Sequence, residues 1–157
     1  MSHGESGYLD FCHKIVGAAK KIETAIRELP DLRADISVIG RPLVSVVAFT
    51  SKSLSIYDIA DSMTARGWHL NALQNPPAIH AAVTLPMVTA VDRLIADLVA
   101  AVEEEREKER VRVAEGRKAK GAAKGDAAAL YGVAGSLPNK SIVVQLAEGF
   151  LDTLYKA

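Results

Sequence analysis

Residues 43 to 49 read Leu-Val-Ser-Val-Val-Ala-Phe. In a strand, successive side chains point to opposite faces. Here Leu43, Val47 and Phe49 alternate with Val44, Val46 and Ala48, so both sets are apolar. An antiparallel strand with one wet face alternates apolar with polar. This one does not, so both faces of its sheet need a cover. Helices of the same chain can supply one cover. The second face then meets another protein surface, which makes the chain incomplete in itself.

The flanking sequence supplies the helices. Tyr8, Phe11, Ile15, Ala19, Ile22, Ile26 and Leu29 recur at intervals of three and four and form one face of a first helix. Pro30 stops it. "DISVIG" at 35–40 and the stretch above read as two strands joined at Gly40-Arg41-Pro42. Ser55 caps a short helix with Asp58 at its third position. The buried stripe of that helix is Ile56, Ile59, Ala60 and Met63, and Gly67 ends it. Residues 68–73 and 79–85 read as strands around Pro76-Pro77. Val88, Val91, Leu94, Ile95, Leu98 and Val102 return to helical spacing. The order α-β-β-α-β-β-α predicts an α+β domain: an antiparallel sheet of three or four strands, from 36–39, 43–49, 68–73 and 79–85. Helices at about 5–29 and 88–105 share one face of it.

Composition narrows the function. The 157 residues suit one domain, and 49% of them are hydrophobic, enough for a real core. Lys plus Arg is 19 and Asp plus Glu is 19. That balance speaks against a nucleic-acid backbone as partner, which calls for excess positive charge. No stretch approaches the roughly 20 apolar residues of a membrane span, and the N-terminus lacks the apolar run of a signal peptide. Residues 103–126 differ: charges of both signs, then Gly, Ala and Lys. They read as a solvated helix extension fraying into a linker between an α+β domain at 1–102 and a helical segment at 127–157. Val143, Leu146, Phe150 and Leu154 are the apolar stripe of that last segment.

Chemical motifs are scarce. No P-loop, dinucleotide fingerprint, HExxH or GxSxG is present. His69 and His80 fall in adjacent strands, but two imidazoles without an acidic or thiol ligand make a poor metal site. Cys12, the single cysteine, sits at a helix edge and reads as a structural thiol. Trp68 reads as a core anchor. From residue patterns alone, the chain is an α+β domain without a recognisable reaction centre.

Four stretches carry a resemblance. "GESGYLDFCHKIV", "LSIYDIADSMTARGWHLNALQNPPAIHAAVTL", "ALYGVAG" and "FLDTLY" together resemble the C-terminal region of sphingosine-1-phosphate lyases, in the group II pyridoxal-phosphate-dependent decarboxylase family. The resemblance implies the small C-terminal domain of a fold-type-I enzyme that cleaves a long-chain-base phosphate to a fatty aldehyde and phosphoethanolamine. It implies a homodimer, a lipid phosphate substrate and, for eukaryotic members, a cytosol-facing place on the endoplasmic reticulum. The cofactor, pyridoxal 5'-phosphate, would be bound mainly by a large domain preceding residue 1, which carries the Schiff-base lysine. No catalytic, cofactor-binding or metal-binding residue is therefore assigned here. By this resemblance the chain is a fragment or truncated product, inactive by itself. Trp68, His69, Asn71 and His80, with Tyr131 and Phe150, become candidates for lining the cleft beside the large domain. The alternative is a stand-alone, non-catalytic dimerisation or regulatory module using its open sheet face.

One expectation concerns the Gly-Ala-Lys stretch. Deleting Arg117 to Lys124 should change thermal stability by no more than about 0.5 kcal/mol, the usual range for surface changes away from special features. Thermal melting checks this, and a loss above roughly 2 kcal/mol would mean that the stretch is packed.

Overall fold

The computed structural model describes residues 4–116. Helix α1 (Glu5–Glu28) leads through a short turn of helix, α2 (Pro30–Arg33), to strand β1 (Ile36–Val38). Strand β2 (Val46–Ser51), helix α3 (Ile56–Ala65) and strands β3 (Asn71–Leu73) and β4 (Ala78–Ala82) follow. The short helix α4 (Leu85–Val88) precedes the long helix α5 (Val91–Ala114). The four strands form one sheet in the order β1-β2-β4-β3, with every neighbouring pair antiparallel. This is the expected α+β architecture.

The register of the central pair sorts the side chains. Val47 lies opposite Ala81 and Phe49 opposite Ile79. All four are buried, on the face that the helices cover. Ile22 and Ile26 of α1, Ile56, Ile59 and Met63 of α3, and Leu94, Leu98 and Val102 of α5 complete this core. Burying each such side chain is worth about 1.5–3 kcal/mol, so a dozen of them dominate the stability. On the opposite face, Ile39 and Val46 remain exposed and Ala48 half-exposed. No helix of the described residues covers that face at Val46, which keeps 47% of its surface in solvent.

Boundaries differ from the sequence pattern for local reasons. Residues 43–45 are not strand: Gly40 has φ +65°, Pro42 has no N–H to give a ladder, and Leu43 and Val44 stand exposed in a loop. Thus β2 begins three residues later and runs two further, to Ser51. Residues 68–70 are likewise outside the ladder. Gly67, at φ +89°, closes α3, and Trp68 N–H still donates to Met63 O at 3.0 Å. Pairing therefore starts only at Asn71. Pro30 ends α1 but also opens α2 at its first position, where a missing N–H costs nothing. The Ser55 cap is present: its Oγ accepts from Asp58 N–H at 3.3 Å.

The charged stretch from Glu103 is helix to Ala114, so the packed part of the chain reaches past 102. Glu105 is turned inward and almost fully buried, with Lys108 Nζ 3.9 Å from its Oε2. Arg106 reaches back across the domain. Its Nε and Nη2 donate to Asp35 Oδ2 at 3.0 and 2.7 Å, and Nη2 also reaches Asp31 O at 3.1 Å. Asp35 in turn accepts from Ser53 Oγ at 3.0 Å, and its carbonyl accepts from Ser51 Oγ at 2.7 Å. Its carboxylate, as hydrogen-bond acceptor, holds the Arg106 guanidinium pKa above its ordinary value. A string of alternating charge therefore hides one cation that ties α5 to the α2–β1 corner. The expected linker beyond 116, the helical segment at 127–157, and the candidates Tyr131 and Phe150 lie outside the described residues.

Replacing Arg106 by Ala removes charge-assisted bonds worth about 1.5–3 kcal/mol. Urea unfolding of Arg106→Ala should show a loss of that order, whereas Arg110→Ala, whose cation is exposed beside Glu107, should stay within about 0.5 kcal/mol.

Candidate functional site

The motif "GWHLNALQNPPAIH" wraps around the β3–β4 corner, and the fold divides its polar groups between two layers. Trp68 belongs to the helix layer. It packs against the core, and its Nε1–H donates to Asp97 Oδ2 of α5 at 2.7 Å. The Arg93 guanidinium lies 5.3 Å from the ring centroid and donates through Nη2 to Arg66 O at 3.1 Å. Trp68 thus fastens the end of α3 to α5. Next to it, Arg66 Nη2 donates to Glu104 Oε1 at 2.5 Å, and Ser62 Oγ donates to Glu104 Oε2 at 2.7 Å. Those bonds, Arg66's first and Ser62's second, hold the Glu104 carboxyl below the usual carboxylate range. These are fastenings between helices, and Ser62, Arg66 and Glu104 also line an open groove of about 510 Å³ with Asp58, Asp61 and Lys108.

Asn71 and His80 belong to the other layer. They are Cα partners across β3 and β4, and strand alternation turns His80 away from the buried Ile79 and Ala81. Asn71 Nδ2 lies 3.2 Å from His80 Nε2. His69 does not fall in a strand adjacent to His80 as expected, because residue 69 precedes the ladder; it is exposed in the connection from α3. Four of the six candidate residues are therefore described, and only Asn71 and His80 are brought together. Beside them a trough of about 340 Å³ is lined by Ile39, Pro42, Leu43, Val44 and Val46, with Arg41 at its rim. Sequence pattern missed this loop as a feature, because Leu43 and Val44 read as strand interior.

Metal and cofactor chemistry find little here. Among the described residues, no group of three or more His, Cys, Asp or Glu is placed to hold a metal ion. A pyridoxal phosphate needs a lysine held beside its ring and a carboxylate partner for the ring nitrogen. The described lysines, at 14, 20, 21, 52 and 108, are all exposed. His13 and Lys14 do stand side by side in sequence, but Lys14 Nζ pairs with Asp10 Oδ2 at 2.6 Å on the outside of α1. The described residues do not fit the cofactor. Among them, no helix is long and apolar enough to cross a membrane.

Trp68→Phe keeps most of the ring packing but deletes the bond to Asp97. A loss of about 1.5–3 kcal/mol follows from a hydrogen bond to a charged acceptor. His80→Ala on the open face should alter stability of the isolated chain by less than about 0.5 kcal/mol. Equilibrium unfolding of the two variants separates the fastening from the surface group.

Comparison with known proteins places this geometry. No family model matches the chain. The sphingosine-1-phosphate lyase of Arabidopsis thaliana is 40% identical over 155 residues, which is 99% of this chain and 26% of that protein. The sphingosine-1-phosphate lyase of Saccharomyces cerevisiae is 40% identical over 157 residues, 99% of this chain and 24% of that protein. Among solved structures, the sphingosine-1-phosphate lyase of Burkholderia pseudomallei superposes with a TM-score of 0.60 at 37% identity, over 70% of this chain and 24% of that one. The chain spans about a quarter of the length of the curated relatives it matches. It is a homologue of the C-terminal region of the sphingosine-1-phosphate lyases.

Proposed function

We propose that this chain serves as the small C-terminal domain of a pyridoxal-phosphate-dependent carbon–carbon lyase acting on a long-chain-base phosphate, with a fatty aldehyde and phosphoethanolamine as products. The observation that carries this reading is 40% identity across 99% of the chain to two sphingosine-1-phosphate lyases. A large domain supplies the cofactor lysine, the carboxylate for the ring nitrogen and the phosphate donors. When bound there, the cofactor supplies the electron sink for carbon–carbon cleavage. This chain's part is to close one side of the cleft with its open sheet face and to hold that face rigid through the helix layer. Homodimerisation, and a cytosol-facing place at the endoplasmic reticulum, come with the same reading.

The division of labour has a physical logic. The open face exposes Ile39, Leu43, Val44 and Val46, and a contiguous apolar patch on a soluble domain marks an interaction surface. Chemistry that depends on charge development works best where water is excluded. A rigid apolar lid contributes to that exclusion without bearing a reactive group.

The test is complementation in trans. The Arabidopsis lyase lacking its matching quarter is co-expressed with this chain, and aldehyde release from sphingosine phosphate is measured. Turnover is expected only with both parts present, and none from this chain with added pyridoxal phosphate. Borohydride reduction and peptide mapping of the chain alone should label no single lysine stoichiometrically. One fully labelled lysine with turnover would overturn the proposal. A chain that forms stable dimers and never joins the large part would favour the regulatory module instead.

A further inference from the structure

Strand β4 is one of the two central strands, and its His80 and Ala82 alternate toward the uncovered side, while Ala78 at its start is buried. Across β2, the Cα partner of His80 is Ala48; across β3, it is Asn71. The half-buried imidazole therefore stands between Ala48 and Asn71 at the middle of this face. Its Nε2 lies 3.2 Å from Asn71 Nδ2. An amide nitrogen only donates, so Nε2 accepts and the ring proton sits on Nδ1. The neighbouring hydroxyl of Thr50 is already spent: Oγ1 donates to Pro77 O at 2.6 Å.

At the centre of the face the His80 donor stands in an apolar field of Ile39, Val46 and Ala48, with the Ser37 hydroxyl and the Asn71 amide on the outer strands to either side. Apolar contact is non-directional and does not choose between neighbouring seatings of one surface on another. A hydrogen bond does choose. A donor sealed under a partner without an acceptor costs about 1–3 kcal/mol, so a partner that fits this face carries an oxygen opposite Nδ1. Resting on the proposed lyase reading, we infer that His80 is the register pin of the docked domain. It donates Nδ1–H to a carbonyl or carboxylate oxygen of the large domain, and Asn71 is the positioning residue that fixes the tautomer. The occupant is the large part of the lyase, which makes up the three quarters of the relatives' length that this chain does not span.

Two measurements test the pin. The first uses the full chain alone: ring-nitrogen spectra at neutral pH should show His80 as the Nδ1–H tautomer, and Asn71→Leu should release it toward the Nε2–H form. A wild-type Nε2–H tautomer overturns the inference. The second uses the large part of the Arabidopsis lyase co-expressed with this chain, with dissociation measured on the purified pair. His80→Asn places an amide N–H at the position of Nδ1 and should bind like wild type. His80→Gln places it at Nε2, His80→Leu has no donor, and both should weaken binding about tenfold or more, roughly 1.4 kcal/mol. Equal binding by all four chains overturns the pin and leaves the lyase reading standing. A wild-type chain that does not bind the large part at all overturns both.

Discussion

The antiparallel pairing of β2 with β4 is the constraint on which the rest of the fold depends. Its register sets Val47, Phe49, Ile79 and Ala81 on one side and Val46, Ala48, His80 and Ala82 on the other. A shift by one residue would exchange the two sets, because side chains alternate with period two. The helix layer packs only on the first set, and its own stripes of Ile22, Ile26, Ile59, Met63 and Leu98 match that side. The open face follows from this single register.

Much of this was legible in the sequence. Helical spacing marks α1, α3 and most of α5, the Ser55 cap and Gly67 stop bracket α3, and β-branched runs mark the strands. Two apolar sets in residues 43–49 predict a sheet with two apolar faces; Val47 is buried under the helices, and Val46 on the other side stays exposed. What sequence could not show was where pairing begins. Leu43 and Val44 have strand chemistry, yet they lie beyond the end of β1's ladder at Val38 and so have no partner on that side. Arg106 was hidden for a different reason. A cation among alternating charges looks solvated until tertiary contact brings Asp35, 71 residues away in sequence, against it. No local pattern encodes that meeting.

The motif at 67–80 answers to both layers. Trp68 faces α5, where its indole N–H and ring satisfy an aspartate and an arginine of one helix face. Twelve residues later, His80 faces away from the helices. Trp68, attached to α5, stands three residues before Asn71, which pairs with His80 across β3 and β4. The candidates with unusual chemistry thus include an anchor between helices, Trp68, and a group on the uncovered side of the sheet, His80.

The borders of the sheet also carry a consequence. Both outermost strands, β1 and β3, are only three residues long. Natural sheets blunt their rims in this way, since a long bare rim templates further strands. Here the ladder has almost nothing to extend, while the broad side of the sheet is sticky. Molecules of this chain that meet through this side would therefore stack like plates rather than knit edge to edge. Their clusters would be held by dispersible apolar contact and would lack the cross-β hydrogen bonding that makes fibrils permanent.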